Sequence, residues 1–164
     1  MQIGDLEILS VVDSQMAYDP RMQYQKSPEV WETHKDLLNE DGLLEGAMGG
    51  FLIRNRSNDR IALVDLGLGK ATMAGRGGQQ RMLKSLAALG YDPKDITDVI
   101  FTHLHIDHIG WASVDGKPTF ANATYRCHQA DWDHWVTGRE TVLSWVTPLL
   151  PGISRSRGSP RRSE

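Results

Sequence analysis

Residues 102–111 read THLHIDHIGW, and this stretch decides the fold. Three of the six histidines in the chain, His103, His105 and His108, share six consecutive positions with Asp107. Random placement would rarely concentrate them so, and a common ligand explains the cluster better than surface histidines or hydrogen-bonded core histidines. The segment follows Val99, Ile100 and Phe101, an apolar run that reads as a short strand. In extended backbone, residues two apart point the same way, so His103 and His105 can hold one ion together. Continuing the alternation would aim Asp107 there too. If the chain instead turns after His105 towards a helix near His108, Asp107 and His108 face a second ion beside the first. Two ions about 3.5–4 Å apart can share one activated water. Imidazole and carboxylate suit zinc, iron, manganese or cobalt, and zinc is the expected ion.

The flanking sequence supplies a mixed α/β frame. Residues 6–12 form an apolar-rich run expected to be a mostly buried strand. Ser27, Pro28 and Glu29 look like a helix start and Gly42 like a stop, predicting a helix over residues 28–40. Residues 51–54 and 60–64 flank the turn-rich NRSND, which predicts an antiparallel hairpin whose second strand ends at Asp65. Residues 75–78 form a glycine-rich loop. Met82, Leu83, Leu86 and Leu89 then fall at helical spacing, closed by Gly90. Residues 123–128 read as another strand and 129–136 as a short helix, whose Trp132 and Trp135 are expected to pack on the sheet. GLGK at residues 67–70 fails as a phosphate loop, because Val64 stands where glycine is needed and Ala71 where Ser or Thr is needed.

Composition excludes several classes. The chain has 164 residues, 40% hydrophobic and 24% charged, enough for one ordinary domain. No run approaches the roughly 18 apolar residues of a spanning helix, and the start has no signal-peptide pattern, so no membrane role and a cytoplasmic setting are expected. Cys127 is the sole cysteine, which rules out an internal disulfide and is expected to be buried. The formal charge of −3 divides unevenly: residues 153–164, ISRSRGSPRRSE, carry four arginines and one glutamate, leaving the rest at −6. An acidic body argues against a nucleic-acid surface, although the tail could bind RNA weakly. The tail is expected to be disordered, with residues 1–152 forming the domain part.

With these residues in view, the sequence resembles the metallo-β-lactamase fold hydrolases: THLHIDHIGW matches their H-x-H-x-D-H signature. The likeness extends to GDLEILSVVD, to the strand ending in VDLGLG, to LAALGYDPKDITDVIF before the motif and to FANATYRCHQADWDHW after it. Trp111 after HIG makes the chain more similar to the N-acyl homoserine lactonase and methyl parathion hydrolase branch than to the glyoxalase II thioesterases. The resemblance implies an αββα sandwich, present as its first half. It implies His103 and His105 on the first of two divalent ions, and Asp107 and His108 on the second. Asp65 would sit behind the ligands as a supporting carboxylate. Asp107 would hold its metal and is the candidate to pass a proton to the leaving oxygen.

The implied activity is metal-dependent hydrolysis of a small ester, lactone or phosphotriester. The family's remaining ligands lie downstream of the region matched, and His128 and His134 stand outside the glycine-rich segment that would carry them. The expectation is therefore a truncated, inactive form, the basic tail being what a shifted reading frame would encode; the alternatives are a non-catalytic metal- or partner-binding remnant and a thioesterase of the glyoxalase II type. Half a sandwich bares one sheet face, so self-association is expected.

Overall fold

The computed structural model describes residues 1–24, 26–73 and 76–137. The tail at 153–164 and Gly75 of the glycine-rich loop lie outside the described residues. A six-stranded mixed sheet forms the frame: β1 (Gln2–Ile3), β2 (Leu6–Tyr18), β3 (Leu44–Asn55), β4 (Ile61–Val64), β5 (Asp98–Ile100) and β6 (Thr124–Arg126) lie side by side in that order. The first four strands pair antiparallel, whereas β5 runs parallel to β4 and β6 parallel to β5. Among the described residues five α-helices accompany them: α1 (Pro20–Tyr24), α2 (Pro28–Thr33), α3 (Met82–Ala88), α4 (Ile106–Ile109) and α5 (Gln129–Trp135).

Register across the sheet separates two faces. Leu9 pairs with Leu52, Leu52 with Leu63, Leu63 with Val99 and Val99 with Tyr125, a continuous row across five strands. Leu52, Leu63 and Val99 are fully buried, packed with Val11, Met82 and Leu86 of α3, Ile96, Leu104 and Phe120. One step along every strand, the row Ser10, Phe51, Val64, Ile100 and Arg126 faces the other way. Here Phe51 is 54% exposed and Ile100 39%. The expected bare face is therefore present among the described residues.

Differences from the sequence reading have local causes. β2 runs on past residue 12 to Tyr18, and β3 begins at Leu44, so the pair is a long ribbon with a bulge between Val12 and Ser14. The bulge turns two successive side chains, Asp13 and Ser14, into the interior. The helix expected over 28–40 ends at Thr33, followed by a 3₁₀ turn at Lys35–Leu37. α2 buries no residue, and without an apolar face packed on the core a short helix has little to sustain it. Asn39 then makes the turn, its Oδ1 accepting from the Asp41 and Leu43 amides. Residues of the glycine-rich loop join a two-strand ribbon, Thr72–Met73 with Arg76–Gly77. Cys127 is half-buried, and burial pushes its thiol up from the ordinary range. No helix among the described residues is long and apolar enough to cross a membrane.

Candidate metal centre

β4 and β5 run parallel and end at the same rim, which delivers Asp65 and residues 101–103 side by side. Asp65 leaves β4 with φ +59°, a left-handed backbone that aspartate tolerates better than most residues, and its amide donates to the Ile100 carbonyl. After β5 the chain bends at Thr102, is extended at His105, φ −75° and ψ 159°, and then enters the single turn of α4. This is the second of the two chain paths that the spacing permitted. His103 and His105 precede the turn, and Asp107 and His108 lie within it.

All five predicted site residues come together. The His103 and His108 ring centroids are 3.9 Å apart, and His103 Nε2 lies 3.1 Å from His105 Nδ1. His108 Nδ1 is 2.9 Å from Asp65 Oδ2, and His108 Nε2 is 3.5 Å from Asp107 Oδ2. Asp65 also accepts from Thr102 twice, from its amide at 2.9 Å and its hydroxyl at 2.7 Å.

These contacts place the Nδ1 protons of His103 and His108. The Thr102 hydroxyl spends its proton on Asp65, so at 3.1 Å it accepts from His103 Nδ1–H. His103 Nε2 faces His105 Nδ1, while His108 Nδ1–H donates directly to Asp65. In His103 and His108, Nδ1 is thus the ring nitrogen held from behind, by Thr102 and by Asp65, and Nε2 is the one turned towards the other motif residues, the arrangement in which a carboxylate orients a ligand histidine. Asp65 orients His108 itself and His103 through Thr102. Burial, with the neighbouring His108 and His105, lowers the His103 pKa and keeps that ring neutral. The bond to Asp65 raises the His108 pKa against burial. Burial pushes the Asp65 carboxyl up, but His108 and Thr102 outweigh it and hold it below the usual range.

Three imidazoles and a carboxylate are a donor set that fits divalent ions in its chemistry. Among the described residues, no three His, Cys, Asp or Glu side chains converge as a preformed cage; His103 and His105 bond to each other instead. A groove of about 230 Å³ runs from Asp65, Asp107 and His108 along the bare sheet face, past Ser10, Val12, Gly49 and Phe51.

Other histidines stand apart. His128 caps α5, its Nδ1 accepting from the Ala130 amide, and exposed His134 stacks edge-on against Trp135. His34 is exposed at the end of α2. Trp135 packs against the core as expected and also meets the His105 ring edge-on at 5.4 Å. The sequence reading missed Thr102, for which a hydroxyl next to the motif was the one signal. It also missed Asp13, whose signal was a carboxylate inside an apolar run.

Comparison with known proteins agrees with this fold. A family model described as the Metallo-beta-lactamase superfamily matches residues 50–140, more than half of the chain. Among solved structures, the hydrolase AbOPH "in beta lactamase superfamily" is similar at 27% identity and a TM-score of 0.67, over 83% of this chain and 46% of its own. AidC, described as a dizinc quorum-quenching lactonase in complex with a product, is similar at 25% identity and a TM-score of 0.68, over 84% of this chain and 47% of its own. A probable metal-dependent hydrolase from Staphylococcus aureus, at 22% identity, shares the fold with a TM-score of 0.64 over 84% of this chain and 52% of its own. The chain spans about half the length of these structures. No curated protein matches it.

Proposed function

We propose, from the premise that the chain belongs to the metallo-beta-lactamase superfamily, that it is the metal-binding part of a hydrolase acting on a small ester, lactone or phosphotriester. The observation that carries this reading is the convergence of His103, His105, Asp107 and His108 at one rim of the sheet, with Asp65 orienting His108 directly and His103 through Thr102. His103 and His105 would hold one divalent ion, and Asp107 and His108 the other, with zinc the expected species. Bound there, such ions supply a water nucleophile near neutral pH and polarise a carbonyl or phosphoryl oxygen. Asp65 keeps the rings aimed. The groove along Ser10, Val12, Gly49 and Phe51 is the proposed seat of the substrate's apolar portion. Asp107, 28% exposed, is the group near enough to this opening to pass a proton to the leaving oxygen. The likeness to AidC and AbOPH supports hydrolysis of this kind.

Metal analysis of the purified chain tests the reading. Replacing His103 and His105 together with alanine is expected to remove most bound metal, since no other histidine pair shares their spacing. Asp107→Asn is expected to weaken the second ion more than the first, because asparagine keeps the shape and loses the charge. Unchanged zinc stoichiometry in the double variant overturns the assignment.

A further inference from the structure

The bulge of β2 buries a carboxylate completely, that of Asp13. Its Oδ2 accepts from the amides of Leu68 at 3.0 Å and Gly69 at 2.9 Å and from the Ser14 hydroxyl at 3.4 Å. Its Oδ1 accepts from the Met82 amide at 3.1 Å and from the indole N–H of Trp111 at 2.7 Å. All five donors are neutral. A buried carboxylate costs desolvation, which here only this full set of hydrogen bonds offsets.

The donors come from places that matter to the metal centre. Leu68 and Gly69 belong to the loop that begins at Asp65, and Trp111 ends the motif that contains His108. Those two stretches are joined again by the Leu66 amide on the His108 carbonyl at 2.7 Å and the Gly110 amide on the Gly67 carbonyl at 2.8 Å. Gly67 lies so close to Asp13 that a Cβ there would stand 2.5 Å from the Asp13 Cβ.

We infer that Asp13 is a positioning residue of the candidate metal centre: by gripping the 65–69 loop with one oxygen and Trp111 with the other, it sets the distance between Asp65 and His108. The consequence for metal binding rests on the proposed function, whereas the hold on the two segments does not. Asparagine cannot replace Asp13, because its amide would face two N–H donors with N–H groups of its own. Turning it over moves the conflict to the other pair.

The test uses the full chain with Asp13→Asn, Trp111→Phe and, as a control for general destabilisation, Leu63→Ala. Amide hydrogen exchange and cobalt(II) titration followed by its visible absorption are the readouts. In Asp13→Asn, exchange at Leu66, Leu68, Gly69 and Gly110 is expected to quicken about tenfold or more relative to Leu52 and Val99 of the sheet, and cobalt affinity to fall about tenfold or more. Trp111→Phe should loosen Gly110 with a smaller loss of affinity, and it carries the test if Asp13→Asn does not fold. Leu63→Ala should quicken all amides together. Uniform acceleration in Asp13→Asn, or unchanged exchange at the loop, overturns the inference. Undiminished cobalt affinity in a loosened Asp13→Asn chain overturns its bearing on the metal. If the unaltered chain takes up no cobalt, the metallohydrolase reading fails, and the exchange pattern alone decides the positioning role.

Discussion

Leu52 and Phe51 are neighbours on β3, yet one is fully buried and the other 54% exposed. The same contrast runs along the sheet, from Leu63 against Val64 to Val99 against Ile100. On the central strands β3, β4 and β5 both rows are apolar, so composition does not separate them there; what separates them is that α3 and the connecting loops cover one face only. The teaching is that a strand pattern fixes which residues share a face, while burial depends on what arrives to cover it.

The largest expected effect lies on the covered face. Leu63→Ala should lower unfolding free energy by about 3 kcal/mol, the usual cost of a cavity in a packed core, read from urea unfolding. A loss no greater than that of a bare-face variant would break the contrast. Asp98 sharpens it from the other side. Its side chain is only 5% exposed although it belongs to a row facing outward, because Arg60 and Arg126 close over it and Thr97 donates to it. Asp98→Asn should cost on the order of 2 kcal/mol at neutral pH, as for hydrogen bonds to a charged group.

Burial raises the Asp98 pKa, but bonds from Thr97, Arg126 and Arg60 outweigh it and hold the carboxyl below its ordinary range. A pKa depressed by folding stabilises above the unfolded-state value of about 3.9 and stops doing so as pH falls through the folded value. The difference between the unaltered chain and Asp98→Asn should therefore be full near pH 6 and shrink in strong acid. A constant difference across acid titration monitored by circular dichroism would show that the charge is not the cause.

The smallest stability effect is expected on the bare face. Phe51→Ser with Ile100→Ser should shift unfolding by no more than about 0.5 kcal/mol per site. Self-association through this face is expected, and the pair should weaken it. Sedimentation at several concentrations measures that directly, and association unchanged by the pair would assign it elsewhere.

Much of this was legible in the sequence, for reasons the residues themselves supply. Alternation located β4 and β5 to within a residue or two, and the density of His103, His105, Asp107 and His108 marked the candidate cluster whose side chains the fold brings together. α3 was legible because Met82 and Leu86 at helical spacing are buried against the sheet. Residues 28–40 carried equally good start and stop signals without a buried stripe, so tertiary contact, which a cap does not reveal, decided the length. Asp13 was opaque for a related reason. In the run LSVVDSQ it looks like the end of a strand, and only a bulge that no propensity announces turns it inward to its four distant donors. Thr102 lay in plain view, but its role needed Asp65 beside it, 37 positions away.

The loop carrying Asp65 and the turn carrying His108 also meet backbone to backbone. A methyl group added to Gly69 would stand 2.3 Å from the Gly110 carbonyl oxygen, and one added to Gly110 would stand 2.0 Å from the Leu68 carbonyl carbon. Main chain cannot yield as a flexible side chain can. Among variants randomised at both codons and sorted for folded protein, glycine should be the sole survivor at each position, and no change at one should rescue a change at the other. The pair therefore behaves as a steric lock with no alternative key, and evolution of this site must work through its other residues.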